Sequence, residues 1–133
     1  KGHVYAVRAW KYLGETDRVT TVAPRHEAAV FAVLPAKIDS VAVDAPAFVA
    51  RGADLAAELS VVSDDVSADY VLHVEVVPPT GVPRFHFKRN LLTKDGKARF
   101  AFAFANNDEP GAWKLRVTEP LTGVTAERPL TVR

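Results

Sequence analysis

The chain has 133 residues, 48% of them hydrophobic and 25% charged, with 17 basic and 16 acidic side chains and a formal net charge of +1. This is the makeup of a globular domain with enough length for a core, not of a disordered segment. With charges interspersed and no basic block longer than Lys88-Arg89, neither nucleic acid nor membrane insertion is expected, and the absence of cysteine excludes disulfides and thiolate metal sites.

In chain order, the pattern predicts an all-β protein. A first strand is expected over His3–Trp10, then a polar turn at Gly14-Glu15-Thr16-Asp17, then a short strand from Val19 to Val22 ending before Pro24. Glu27–Leu34 is almost continuously apolar, which predicts a strand buried on both faces, closed by Pro35. Ile38–Val43 opens a second group. In ADLAAELSVVS, helical spacing gathers Leu55, Leu59 and Val62, whereas alternation gathers Leu55, Ala57, Leu59 and Val61, so a strand is predicted.

Tyr70, Leu72, Val74 and Val76 alternate with His73 and Glu75 before the breaker Pro78-Pro79-Thr80-Gly81. Phe85 and Phe87 suggest a further strand, and Asp95-Gly96 a tight turn. Phe100, Phe102 and Phe104 then alternate with alanines. Across the loop Asn106–Gly111, Trp113, Leu115 and Val117 resume the alternation, as in a hairpin. Pro120–Gly123 is a last turn, and Val124–Val132 the final strand, where Pro129 requires an edge or bulge. Residues 38–133 thus supply about seven strands, the number an immunoglobulin-like antiparallel β-sandwich needs, and residues 1–36 add roughly three extra N-terminal strands. The expected division is 1–36, possible end of a preceding β-domain, and 37–133, the sandwich.

Arg51-Gly52, Pro79-Thr80-Gly81, the run Asn107–Trp113 and Thr122-Gly123 give residues 38–133 a resemblance to bacterial immunoglobulin-like and macroglobulin-like modules of large surface or secreted proteins. Before them, VYAVRAWKYLGETDRV resembles the closing strands of the β-sandwich that follows the catalytic barrel in many glycoside hydrolases. Tyr5, Leu13 and Gly14 match that pattern, and Ala6 stands where an acidic residue is common. The resemblance implies a non-catalytic accessory module of a larger bacterial protein, secreted or in the cell envelope, with other domains of its parent as partners. A chain that begins at Lys1 and contains no Met fits the expectation of a piece of a longer protein.

No constellation for catalysis is legible. His3, His26, His73 and His86 lack the spacing of a zinc motif, and Ser40, Ser60, Ser63 and Ser67 lack a nucleophile elbow. Asp64-Asp65, Asp69 and Asp108-Glu109 fall in expected loops, where such residues form turns rather than a glycosidase pair. No enzyme activity, cofactor or metal is therefore expected. The alternative is carbohydrate binding, for which Trp10 and Tyr12, expected on one face at a strand end, are the candidate stacking residues.

Overall fold

The computed structural model describes residues 1–23 and 25–133. Its strands form three sheets. The first holds β1 (Gly2–Ala6), β2 (Lys11–Thr16) and β3 (Phe31–Leu34) in the order β2-β1-β3. The other two make the sandwich. One is β4 (Ile38–Asp44), β6 (Asp54–Ser63) and β9 (Lys97–Ala103), in the order β4-β6-β9. The second is β5-β11-β10-β7-β8, built from β5 (Phe48–Val49), β7 (Val71–Val77), β8 (Lys88–Leu92), β10 (Gly111–Thr118) and β11 (Thr125–Val132).

The expected immunoglobulin-like sandwich with extra N-terminal strands is therefore present, but the N-terminal strands sit elsewhere along the chain. β1 ends at Ala6, and a short 3-10 turn over Val7–Ala9 leads to Trp10 in the left-handed region. The reversal comes here, so Gly14–Thr16, expected as a turn, lie inside β2 and pair with β1. Val19–Val22 is not a strand, and Pro24, read as its end, lies outside the described residues. Only the last half of Glu27–Leu34 is β-structure. It is not buried on both faces: Val33 is 67% exposed.

In the sandwich, alternation decides the strands. Leu55, Ala57, Leu59 and Val61 of β6 all point into the core, which rules out the helical reading of that segment. Phe100, Phe102 and Phe104 face Trp113 across it, with the Phe104 and Trp113 ring centroids 5.1 Å apart. Burying each such aromatic contributes about 2–3 kcal/mol before ordering entropy is counted. β9 and β10 nevertheless belong to different sheets. The Asn106–Gly111 loop carries the chain from one layer to the other instead of closing a hairpin. Inward-facing alternation on both sides of a loop is common to the two geometries, and only hydrogen-bond partners separate them.

Asp95 and Gly96 do form the expected tight turn, both at positive φ, with Lys94 and Lys97 exchanging backbone hydrogen bonds of 2.8 and 3.0 Å. Pro129 pairs β10 on one side, while β5 reaches only Thr131 and Val132 on the other, so its missing N–H faces an open edge. Phe85 and Phe87 correct the strand expected there. Residues 85–87 are a 3-10 turn, not a strand, so Phe85 and Phe87 do not share a face. Phe87 packs on Phe102 and Trp113, whereas Phe85 is 90% exposed.

Candidate functional site

Of the two candidate stacking residues, Trp10 reaches the sandwich, while Tyr12 packs within the N-terminal sheet. Trp10 sits at φ 48°, ψ 44°, a conformation that a bulky residue adopts only when its surroundings impose it. Those surroundings are the β10–β11 turn. The Trp10 indole N–H donates to the Pro120 carbonyl at 3.1 Å, and the ring lies against Gly123, where a Cβ would collide with it. Even so, Trp10 stays 58% exposed. One side of the indole is thus fixed to the sandwich and the rest is open to solvent.

The turn that receives Trp10 is itself held by a carboxylate. Glu119 is fully buried, and its oxygens accept from the Leu121 N–H, the Thr122 N–H and the Thr122 hydroxyl at 3.2, 2.8 and 2.7 Å. Gly123 N–H closes the same turn on the Glu119 carbonyl at 2.8 Å. Buried carboxylates persist where their lone pairs are met in this way.

Tyr12 has different neighbours. Its hydroxyl is 2.8 Å from His3 Nδ1, its ring packs on Tyr5 with centroids 5.0 Å apart, and the Lys37 ammonium lies 5.7 Å from its centre. Tyr5 is the second pin between the sheet and the sandwich. Its hydroxyl accepts from the Ile38 N–H at 3.3 Å, and burial raises its pKa against the opposing effect of that hydrogen bond, with the charges of Asp39 and Glu119 adding to the rise. The turn at Trp10 separates the two candidates: they do not share the face of one strand, and each ring is held by its own set of contacts.

The remaining polar clusters are engaged within the fold. Glu75, Lys88, Arg116, Glu127 and Lys114 form a ladder on the outer face of the five-stranded sheet, with N–O distances from 2.8 to 3.4 Å. Partial burial works to raise the Glu75 pKa, but the Lys88 hydrogen bond and the charges of Lys88, His73 and Arg116 outweigh it and leave the carboxyl below its ordinary value. Glu127 is held low by hydrogen bonds from Lys114 and Arg116. His73 is 2.7 Å from Asn90 Oδ1, while His86 lies in the 3-10 turn. Asp108 accepts from Ala105 N–H at 2.7 Å and Asp65 from Ser67 N–H at 2.8 Å, both as turn-forming side chains.

The feature that sequence reading missed is on the N-terminal sheet. Phe31 and Val33 are exposed on one face of β3, beside a groove of about 380 Å³ that they line with Gly2, Val4 and Val19 and with the polar side chains of Lys1, Thr16, Asp17 and Arg18. The apolar character of this strand is plain in the sequence, but a continuous apolar run also describes a strand covered on both sides.

No protein-family model matches the chain, and no curated protein does. Among solved structures, the chain is similar to the CARDB domain of a Pyrococcus furiosus protein, solved in complex with di-metal ions. The two share 12% identity at a TM-score of 0.49, over 74% of this chain and 89% of that one.

Proposed function

We propose that this chain is a non-catalytic accessory module of a larger bacterial protein of the secreted or cell-envelope class, in the setting of a carbohydrate-active enzyme, and that its work is protein contact. The observation that carries this reading is the exposed apolar pair on a sheet pinned to a sandwich. Trp10 and Tyr5 fix the N-terminal sheet in place, and Phe31 and Val33 are left facing outward. Exposed apolar patches held on rigid scaffolds mark interaction surfaces. Asp108, Glu119 and Glu75 are engaged in turns and strand pairing, which supports this reading.

Removing the chain from its parent protein is expected to lower the parent's melting temperature while leaving its kcat unchanged. The isolated chain is expected to turn over no member of a chromogenic glycoside, ester and phosphoester panel. Turnover by the isolated chain, lost on denaturation, would falsify this reading.

A second reading, carbohydrate binding, is favoured by one observation: the indole of Trp10 is immobilised with much of its surface open. Flat, pre-positioned aromatic surfaces are what sugar stacking uses. On a glycan array, binding should disappear in the Trp10→Ala, Tyr12→Ala double variant; absence of binding by the parent chain removes the reading.

A further inference from the structure

Phe85, on the 3-10 turn that leads into β8, is the most exposed large apolar side chain among the described residues, and Val82 just before it is exposed too. The turn beneath them is firmly seated. Phe87 is buried, its ring centroid 5.1 Å from that of Phe102 and 5.9 Å from that of Trp113. The Phe87 N–H closes the turn on the Arg84 carbonyl at 3.0 Å, and the Gly81 N–H closes the preceding one on Pro78 at 2.9 Å. Pro78, Pro79 and Pro83 have no N–H to leave unpaired in apolar surroundings. The result is an apolar projection held from below by the core.

The charge around this projection has one sign. No Asp or Glu occurs between Glu75 and Asp95, whereas Arg84, Lys88, Arg89 and Lys94 do, an excess hidden by the near-neutral total. Two guanidinium groups are fixed at the turn itself. That of Arg84 lies 5.7 Å from the centre of the buried Phe87 ring, and that of Arg89 donates to the His86 and Lys88 carbonyls at 3.0 and 2.8 Å. Neither has a carboxylate partner among the described residues. Acidic groups of the neighbouring elements are engaged elsewhere: Glu75 with Lys88 and Arg116, and Asp108 with the Ala105 N–H. Glu109 stands in the loop that reaches Pro79 through Gly111, and it makes no ion pair with either arginine.

We infer that residues 82–89 are a docking site for an anionic lipid surface. Phe85 and Val82 enter the boundary between headgroups and acyl chains, and Arg84 and Arg89 meet the phosphates behind them. The two guanidinium groups lie toward the core side of the turn while the Phe85 ring projects away from it, which is the order of chemistry with depth in a bilayer interface. Guanidinium groups also present paired donors that suit phosphate oxygens. A protein partner would need a fitted pocket for one projecting ring, whereas lipid deforms around it. Such contact is at headgroup level and requires no apolar span. The inference goes beyond the accessory role, and either can fail without the other.

The test is co-sedimentation of the whole chain with vesicles of pure phosphatidylglycerol or pure phosphatidylcholine. The chain should partition onto phosphatidylglycerol, only weakly onto phosphatidylcholine, and less as salt is raised. Phe85→Ser should weaken that partitioning roughly tenfold, with an unchanged circular dichroism spectrum and melting curve. The Arg84→Gln, Arg89→Gln double variant should weaken it roughly fivefold for each charge removed. Phe48→Ser is the control. Phe48 is an exposed ring 4.3 Å from the Arg133 guanidinium, on β5 at the opposite edge of the same sheet, and its variant should bind as the natural chain does. Because the protein has no cysteine, Val82→Cys carries a single environment-sensitive dye, whose emission should move to shorter wavelength on phosphatidylglycerol. The same dye at Val62→Cys, an exposed position on β6, should not move. No binding to phosphatidylglycerol, equal binding to both lipids, full binding by Phe85→Ser or an equal loss in Phe48→Ser would each overturn the site. Retention on immobilised polyglutamate by a chain that ignores vesicles would also overturn it, in favour of an acidic protein partner. Absence of vesicle binding would leave the accessory role standing; turnover of the substrate panel would leave the lipid site standing.

Discussion

Gly123 and Gly81 share almost the same backbone conformation, with φ of 77° and 76°, yet they stand in different surroundings. A Cβ at Gly81 would meet open space, while one at Gly123 would strike the Trp10 ring. Replacing either by alanine imposes the left-handed cost of about 1–2 kcal/mol. We expect Gly81→Ala to show that cost alone in urea denaturation. Gly123→Ala should exceed it and shift the Trp emission to longer wavelength as the indole loses its seat. Equal costs with unchanged emission would mean that Trp10 does not rest on the turn. Glu119 acts at the same scale. Glu119→Gln places an amide where three donors converge, and should cost about 1–3 kcal/mol by the same denaturation measurement.

Among the elements, the Phe100–Phe104 segment, formed by β9 and the residue after it, carries the core, and the ladder of charges on the opposite sheet carries the pH dependence. Phe102 touches Phe87, Phe100 and Phe104, so Phe102→Ala should destabilise by about 3–5 kcal/mol in chemical denaturation. Glu75 and Glu127 have pKa values below the ordinary glutamate value of 4.5. Their contribution to stability is therefore complete above that value. It is lost as pH falls through the lower folded values, where the native state must take up protons it holds less readily than the unfolded chain. The melting temperature should fall on acidification below about pH 4.5, and less steeply in Glu75→Gln than in the parent chain. An identical pH profile in the variant would show that Glu75 contributes nothing to it. The strands of this region were legible because their alternation is strict. The 3-10 turn at Phe85–Phe87 was not, since two phenylalanines separated by one residue fit a strand until the turn displaces one of them into solvent.

In the whole molecule, the N-terminal sheet joins the apolar cluster of the sandwich through Tyr5 and Leu34, and the hydrogen bonds of Trp10 to Pro120 and of Tyr5 to Ile38 add polar contacts. Trp10→Ala removes one of these and with it the contact that holds residue 10 at positive φ. Hydrogen exchange should quicken across β1, β2 and β3 while β10 and β11 keep their protection. Uniform exchange across all strands would show instead that the chain opens as one unit. The sequence by itself determined the all-β class, the strand faces of the sandwich, the inward Phe100, Phe102, Phe104 and Trp113 and the turns at Asp95-Gly96 and Pro120–Gly123. Each of these follows from local alternation and turn chemistry. Only the tertiary structure decided that β9 and β10 lie in different sheets, that Trp10 and Tyr12 have separate settings, and that the run before Pro35 is open on one side. Those are questions of which distant group covers a face or accepts a hydrogen bond, and apolar periodicity records that a face is greasy without recording what lies against it.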